Sequence, residues 1–264
     1  MTSLHFTTRP FTRELKIEQR FHCDFLEDEV LALRQAIEDR QSAVLVAPAG
    51  SGKTVVLRAL KASLPEARHA VFYIKLADLS ARDMCRQVAL ALGLSPAGNF
   101  PSLSSALEER LRSGYEDQGL RQVIVFDDAH DLRPEVLRLI RLLTNFEMDS
   151  RLVVSVILAG QLALKKRLMD PDLEDIRQRL THCGELRLLG RDETKEYLAH
   201  RVRIAGAAVS PFSKAAMEAL FEITRGNMRA LDKLAGAAIA HAQSQKRDAI
   251  DDADVAAVRG KQWM

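Results

Sequence analysis

The chain has 264 residues, a formal net charge of +2, 47% apolar residues and 28% charged residues. This composition is typical of a globular protein and excludes a wholly disordered or fibrous chain. The length fits one large domain or two small ones. The near balance of positive and negative charge neither indicates nor excludes nucleic-acid binding. Arginine outnumbers lysine, which fits phosphate binding and fits a high-GC coding bias equally well.

The cysteines and the apolar runs define the compartment that we expect. Cys23, Cys85 and Cys183 are far apart and odd in number, which argues against a disulfide framework and a zinc site. The first eight residues lack the basic start and apolar stretch of a signal peptide. The longest apolar run, 152–160, is about half a membrane span. We therefore expect a soluble, cytoplasmic protein without a membrane partner.

Short apolar runs alternate with amphipathic segments over the first two thirds of the chain. Residues 1–26 are predicted to form an extended arm, followed by an α/β domain over 27–190. Alternating strands and helices indicate a five-stranded parallel sheet covered on both faces. The predicted strands lie at 43–46, 70–76, 123–126, 153–158 and 185–189, and the helices at 27–40, 53–63, 81–92, 103–112 and 135–146.

The pattern changes after Gly190, where no further strand is predicted. Four helical segments follow, at 192–205, 212–225, 228–244 and 251–259. This change in periodicity predicts a small all-helical domain over 191–264.

A glycine-rich turn between the first strand and its helix carries the most specific motif. Its residues are Ala47-Pro48-Ala49-Gly50-Ser51-Gly52-Lys53-Thr54. Glycines let such a loop curl its N–H groups around phosphate oxygens, and the following helix N-terminus adds partial positive charge. Lys53 is expected to reach the β- and γ-phosphates of ATP, and the Thr54 hydroxyl to bind Mg²⁺. Ala47 replaces the usual first glycine, which is tolerated where φ is negative.

The third predicted strand ends in two acidic residues, Asp127 and Asp128. Ligands of open α/β sheets bind at the carboxyl ends of the strands. Asp127 is therefore expected to hold Mg²⁺ through water, and Asp128 to polarise the attacking water as a general base. Together with the glycine-rich loop, this motif predicts a nucleoside triphosphatase.

On these motifs the chain resembles the AAA+ ATPases, over about residues 11–257. The resemblance implies a helical lid and three further functional positions. Arg229, in Gly226-Asn-Met-Arg229, corresponds to the second sensor, which contacts the γ-phosphate. Arg179, with Arg177 as the alternative, corresponds to the arginine finger that a neighbouring subunit supplies. Gln161 corresponds to the first sensor, with Ser155 less suitable.

One branch of that family resembles this chain in several short sequence motifs. They are Pro10-Phe-Thr-Arg-Glu14, Leu142-Leu-Thr-Asn-Phe-Glu-Met-Asp-Ser150, Leu158-Ala-Gly-Gln161 and the second-sensor motif. The branch contains ExeA-like secretion ATPases and transposition regulators of the TniB, TnsC and Mu B type. An ExeA protein is expected to carry a membrane segment and a cell-wall-binding region, and an origin-recognition ATPase a winged helix after the lid. The sequence shows none of these, so we favour the transposition regulator.

That resemblance implies ATP-dependent assembly into a filament on duplex DNA and presentation of the DNA to a transposase. Backbone contacts to DNA need basic groups, and we favour Lys75 and Arg82, because the segment after the second strand lines the channel in the family.

Asp128 stands where the family has glutamate, which predicts slow hydrolysis. Two alternatives stay open: a secretion-assembly ATPase, and a nucleotide-gated scaffold with little turnover.

Overall fold

The structure is a computed structural model that describes residues 6–75, 80–117, 119–144 and 152–260. Of the segment 142–150 that resembles the transposition and secretion branch, residues 145–150 lie outside the described residues. Two compact units are present. The first contains residues 1–24, 48–55 and 187–264, and the second contains 25–47 and 56–186. The phosphate loop thus groups with the arm and the C-terminal helices. Each unit is considered by itself below.

The second unit is built on a parallel sheet of five strands in the order β2-β3-β4-β1-β5. This confirms the predicted sheet. All residues of β1 and β4 are buried, because these strands lie in the interior of the sheet and are covered on both faces. The strands are β1 Ser42–Val46, β2 His69–Lys75, β3 Arg121–Asp127, β4 Val154–Gly160 and β5 Leu180–Glu185.

Helices connect these strands and bury an apolar core that includes Phe126, Met84 and Leu107. The core side chains come from both the strands and the helices, as alternating βα units require. The helices are α1 Asp24–Glu38, α2 Lys53–Ser63, α3 Ala81–Ala91, α4 Phe100–Glu116, α5 Pro134–Leu137, α6 Leu139–Thr144, α7 Leu162–Leu168 and α8 Glu174–Arg177.

Two element predictions were wrong. The fifth strand is at Leu180–Glu185 rather than 185–189. Its exposed residues, Thr181, Cys183 and Glu185, alternate along the strand and share one face, so it has no continuous apolar run. The leucines that suggested a strand, Leu186 and Leu189, are buried without strand geometry. The predicted helix 135–146 is divided into α5 and α6 at Arg138.

The first unit contains the helices α9 Arg191–Ile204, α10 Lys214–Thr224, α11 Met228–Ser244 and α12 Asp252–Arg259. The arm lies against them. Thr7 donates its N–H to the carbonyl of Ala205 at 2.8 Å, and the guanidinium of buried Arg201 donates to the carbonyl of Thr12. The predicted all-helical character of this region is confirmed. The boundaries that we predicted at 26 and 190 stay predictions.

Among the residues described, the longest and most apolar helices still fall short of what a membrane crossing requires.

Candidate nucleotide-binding site

The phosphate loop joins β1 to α2 along the chain. Gly50 has φ +81° and Gly52 has φ +100°, the left-handed region in which glycine is not strained. The Ser51 hydroxyl donates to the Pro48 carbonyl at 2.8 Å, and the Val55 N–H donates to the Gly52 carbonyl at 2.8 Å. This curled backbone ends at a helix N-terminus, as an anion-binding loop requires. The residues present therefore fit a nucleotide phosphate.

The side chains at the start of α2 suit the roles expected of them. Lys53 is its first residue and is half-buried, and Thr54 follows with an exposed side chain. Ala47, in place of a glycine, has a negative φ and donates its N–H to the Gly160 carbonyl at 3.0 Å. The substitution therefore causes no backbone strain.

The second-sensor motif lies in the same unit as the phosphate loop. Asn227 caps α11, and its side-chain amide donates to the Ala49 carbonyl at 2.7 Å. Arg229 is in the first turn of α11, two residues later, and is exposed. The turn that opens the motif is tight, because a Cβ on Gly226 would lie 1.9 Å from the Leu189 carbonyl oxygen.

The acidic motif lies at the carboxyl end of β3. Asp127 is 3% exposed, and both of its carboxylate oxygens accept hydrogen bonds. Oδ2 accepts from the Tyr73 hydroxyl at 2.6 Å, and Oδ1 accepts from the Asp128 N–H at 2.8 Å. Asp128 itself has φ +60°, a conformation that aspartate adopts more readily than most residues. A buried, oriented carboxylate beside a half-buried one suits an Mg²⁺ ligand and a base.

Partial burial, followed by the hydrogen bond to Asp127, raises the pKa of Tyr73 well above its usual value. The charges of Asp127 and Asp128 act in the same direction. Tyr73 therefore stays protonated and remains a hydrogen-bond donor throughout the neutral range.

Gln161 follows β4, the strand next to β3. Its Nε2 lies 2.7 Å from Nε2 of His130, which is in the short 3₁₀ turn after Asp128. The two side chains are within hydrogen-bonding distance, and which one donates depends on the His130 tautomer. Ser155, the less suitable alternative, is buried within β4.

The two candidate finger arginines lie close together before β5, and their surroundings differ. Arg177 ends α8 and pairs with Glu174 on the same helix. Arg179 immediately precedes β5 and is half-buried.

The two candidate DNA-binding residues are both exposed. Lys75 ends β2 and lies in register beside Asp127. Arg82 is in the first turn of α3 and donates to the Gly98 carbonyl at 3.1 Å. Three other basic residues of this unit pair with acids: Arg138 with Asp172, Arg141 with Asp175, and Lys165 with Glu185.

The sequence does not single out Tyr73, His130 or Asn227 as site residues. Tyr73 and His130 occupy ordinary positions in a strand and a turn, and only the fold places them beside Asp127 and Gln161. Asn227 lies inside the second-sensor motif, and asparagine is a common N-cap residue. That preference is the one local signal that could have identified it.

These features define a phosphate-loop α/β protein with a set of C-terminal helices. The family described as AAA domain matches residues 35–168, and the chain belongs to this family. It is an AAA+ ATPase, and ATP and Mg²⁺ are the cofactors of that class.

Sequence similarity extends to a secretion protein. The chain is 29% identical over 198 residues to the General secretion pathway protein A of Aeromonas hydrophila, a relative of the ExeA type. This match covers 74% of the chain and 36% of the relative, so the chain spans about a third of that protein's length.

Solved structures share the fold at low sequence identity. Cdc6p of Pyrobaculum aerophilum has a TM-score of 0.69 at 20% identity, over 91% of this chain and 67% of that one. Aeropyrum pernix ORC1, solved in complex with DNA, has a TM-score of 0.71 at 16% identity, over 99% of this chain and 71% of that one. The Thermotoga maritima RuvB branch migration motor has a TM-score of 0.58 at 17% identity, over 96% of this chain and 72% of that one.

Proposed function

We propose that the protein is an ATP-dependent regulator of DNA transposition, which assembles on duplex DNA with ATP and is released on hydrolysis. The phosphate-loop residues Pro48 to Thr54 hold the nucleotide, with Lys53 on the β- and γ-phosphates. Thr54 and Asp127 hold Mg²⁺, which when bound neutralises charge on the phosphates. Asp128 orients the attacking water and accepts its proton.

Further groups complete this proposed machinery. Gln161 acts as the polar first sensor, and Arg229 contacts the γ-phosphate from the lid. Arg179 is the preferred finger, because it fits the family motif best, and Arg177 is the alternative. A finger from a neighbouring subunit stabilises the charge of the transition state. The short side chain of Asp128, where the family has glutamate, is expected to make hydrolysis slow.

The observation that carries the DNA-binding part is the exposure of Lys75 and Arg82. Three other basic residues are paired with acids, which lowers the local positive potential there. Lys75, at the end of β2, and Arg82, in the first turn of α3, are placed to contact phosphates of the DNA backbone. Cytoplasmic location is part of the proposal, and the free thiols of all three cysteines are consistent with it.

A secretion-assembly ATPase is the second candidate. It is favoured by the 29% identity to General secretion pathway protein A. In that case the same nucleotide chemistry would act on a protein partner, and duplex DNA would not be bound in a nucleotide-dependent way.

Fluorescence anisotropy with two unrelated DNA duplexes separates the two. The transposition proposal predicts tighter binding of both duplexes with ATP than with ADP or without nucleotide. Equal affinity in all three conditions would reject it and favour the secretion candidate. Capture of a transposase by the ATP-bound DNA complex then tests the partner.

A further inference from the structure

One side chain in the first unit bonds to two segments that are far apart in sequence. The amide of Asn227 accepts from the Ala230 N–H at 3.1 Å through Oδ1, and donates to the Ala49 carbonyl at 2.7 Å through Nδ2. The first bond caps α11, and the second holds the phosphate loop. No other common capping residue type has both an acceptor and a donor at the required separation, since aspartate lacks the donor and serine is too short.

The turn before Asn227 fixes where this amide lies. Arg225 has φ +51° and Gly226 has φ +78°, so the chain reverses sharply between α10 and α11. Leu189 donates its N–H to the Gly226 carbonyl at 3.1 Å. A side chain at 226 would collide with Leu189. The backbone at Asn227 is therefore restrained by the tight turn before it and by the start of α11 after it.

Asn227 also supplies a hydrogen-bond donor to the loop. When the N–H groups of a loop are kept for phosphate, its carbonyls take donors from other segments or from water. The Pro48 carbonyl is satisfied by Ser51, and the Ala49 carbonyl accepts from Asn227. The approach is close, because a Cβ on Gly50 would lie 2.1 Å from Oδ1 of Asn227.

We infer that Asn227 is a positioning residue that couples the backbone of the phosphate loop to the helix start carrying Arg229. Arg229 lies two positions after the cap residue Asn227, in the first turn of α11, with only Met228 between them. A change in the loop at Ala49 is therefore transmitted to the position of Arg229. The part of this inference that concerns Arg229 rests on its proposed contact with the γ-phosphate.

Asn227→Ser is the principal variant, because serine keeps a cap oxygen and loses the reach to Ala49 without adding charge. Asn227→Asp keeps the cap and replaces the donor by a second acceptor. Asn99→Ser is the matched control. Asn99 caps α4 in the same manner, with its side chain accepting from the Ser102 N–H, so it reproduces the energetic change of the cap alone.

The first measurement is amide hydrogen exchange of the nucleotide-free protein. Asn227→Ser and Asn227→Asp are expected to speed exchange at Ser51 and Val55, whereas Asn99→Ser leaves these amides unchanged. The expected increase is about fivefold, as for the removal of one hydrogen bond. Unchanged exchange in both Asn227 variants would overturn the coupling, whether or not the protein hydrolyses ATP.

The second measurement is the ratio of ATP to ADP affinity in a double-mutant cycle with Arg229→Ala. Asn227→Ser is expected to lower this ratio several-fold in the wild-type background and to have no further effect once Arg229 is removed. Additive effects would overturn the link to Arg229. Failure of the wild type to bind ATP would reject the proposed function and that link together, while hydrogen exchange would still decide the loop contact.

Discussion

The hydroxyl of Tyr73 on β2 donates a 2.6 Å hydrogen bond to Oδ2 of Asp127 at the end of β3. Tyr73 pairs in register with Val125, two residues before Asp127. Tyr73 and Asp127 are therefore diagonal neighbours on one face of the sheet. The tyrosine is 45% exposed, whereas the carboxylate it orients is 3% exposed. The ring thus reaches from the surface to a buried acidic group.

Tyr73→Phe removes this donor and keeps the ring. Because Asp127 is the proposed Mg²⁺ ligand, the Mg²⁺ concentration for half-maximal ATPase activity should rise about tenfold, as expected when a hydrogen bond to a charged group is removed. The maximal rate at saturating Mg²⁺ should change little. Tyr115→Phe is the control, since Tyr115 on α4 bonds to Arg40 instead. An unchanged Mg²⁺ requirement in Tyr73→Phe would contradict a positioning role.

Motifs that depend on local chain geometry were accessible from the sequence. The phosphate loop has glycines at the two positions with positive φ, and Asp127 follows four buried apolar residues of β3. Both follow from local geometry and burial, so the sequence alone supports their prediction.

Features set by the tertiary fold were not accessible. The edge strand β5 has exposed residues at every second position, so its pattern does not resemble that of a buried strand. The contacts of Asn227 with Ala49 and of Tyr73 with Asp127 join segments that are distant in sequence. A single sequence contains no pattern that specifies such pairs.

Lys53→Ala should abolish ATP binding and turnover, because it removes the proposed charge on the β- and γ-phosphates. Asp128→Asn should leave binding intact and stop turnover, because an amide does not accept the proton of the attacking water. Binding of a fluorescent ATP analogue and phosphate release measure the two steps. Lys61→Ala, on the exposed face of the same helix α2, should change neither. Wild-type ATPase activity in Lys53→Ala would reject the proposed site.

Arg179→Ala should lower the ATPase rate by about 10³-fold if Arg179 is a finger supplied to a neighbour. Mixing Arg179→Ala with Lys53→Ala subunits should restore part of the activity, because one subunit supplies the finger and the other an intact phosphate loop. The same mixture with Arg177→Ala identifies which arginine acts. If mixed oligomers form and no ratio restores activity, the role in trans is ruled out.

The start of α9 contains a carboxylate whose charge stabilises the fold. Glu193 accepts from Arg187 at 2.6 and 2.7 Å and from the Gly190 N–H at 2.6 Å. The Arg187 hydrogen bonds, aided by the Gly190 N–H, lower the pKa of Glu193 to about 2. A lowered pKa in the folded state means that this stabilisation is complete above pH 4.5 and is lost as pH falls towards about 2.

Glu193→Gln should therefore lower the free energy of unfolding by about 2 kcal/mol at neutral pH. The difference from the wild type should shrink as the pH falls below 4.5. Denaturant unfolding of both proteins across this pH range measures the difference in the free energy of unfolding. Glu196→Gln, on the exposed face of α9, should have little effect at any pH. A difference that stays constant as the pH falls would exclude the charge of Glu193 as its cause.

The paired substitution Lys75→Ala with Arg82→Ala tests the DNA contact. With a net charge of only +2, a lone subunit should bind duplex DNA weakly. The proposed ATP-bound oligomer would place the same basic groups along successive phosphates, and its DNA affinity would rise through effective concentration. The variant should weaken binding to two unrelated duplexes equally and flatten the dependence of affinity on salt, by about 0.9 in the logarithmic slope for each phosphate that is no longer neutralised. Arg138→Ala with Arg141→Ala removes the same charge from residues that pair with Asp172 and Asp175, and should leave the salt slope nearly unchanged. Equal decreases in affinity in the two double variants would mean that net charge, rather than binding at Lys75 and Arg82, governs DNA affinity.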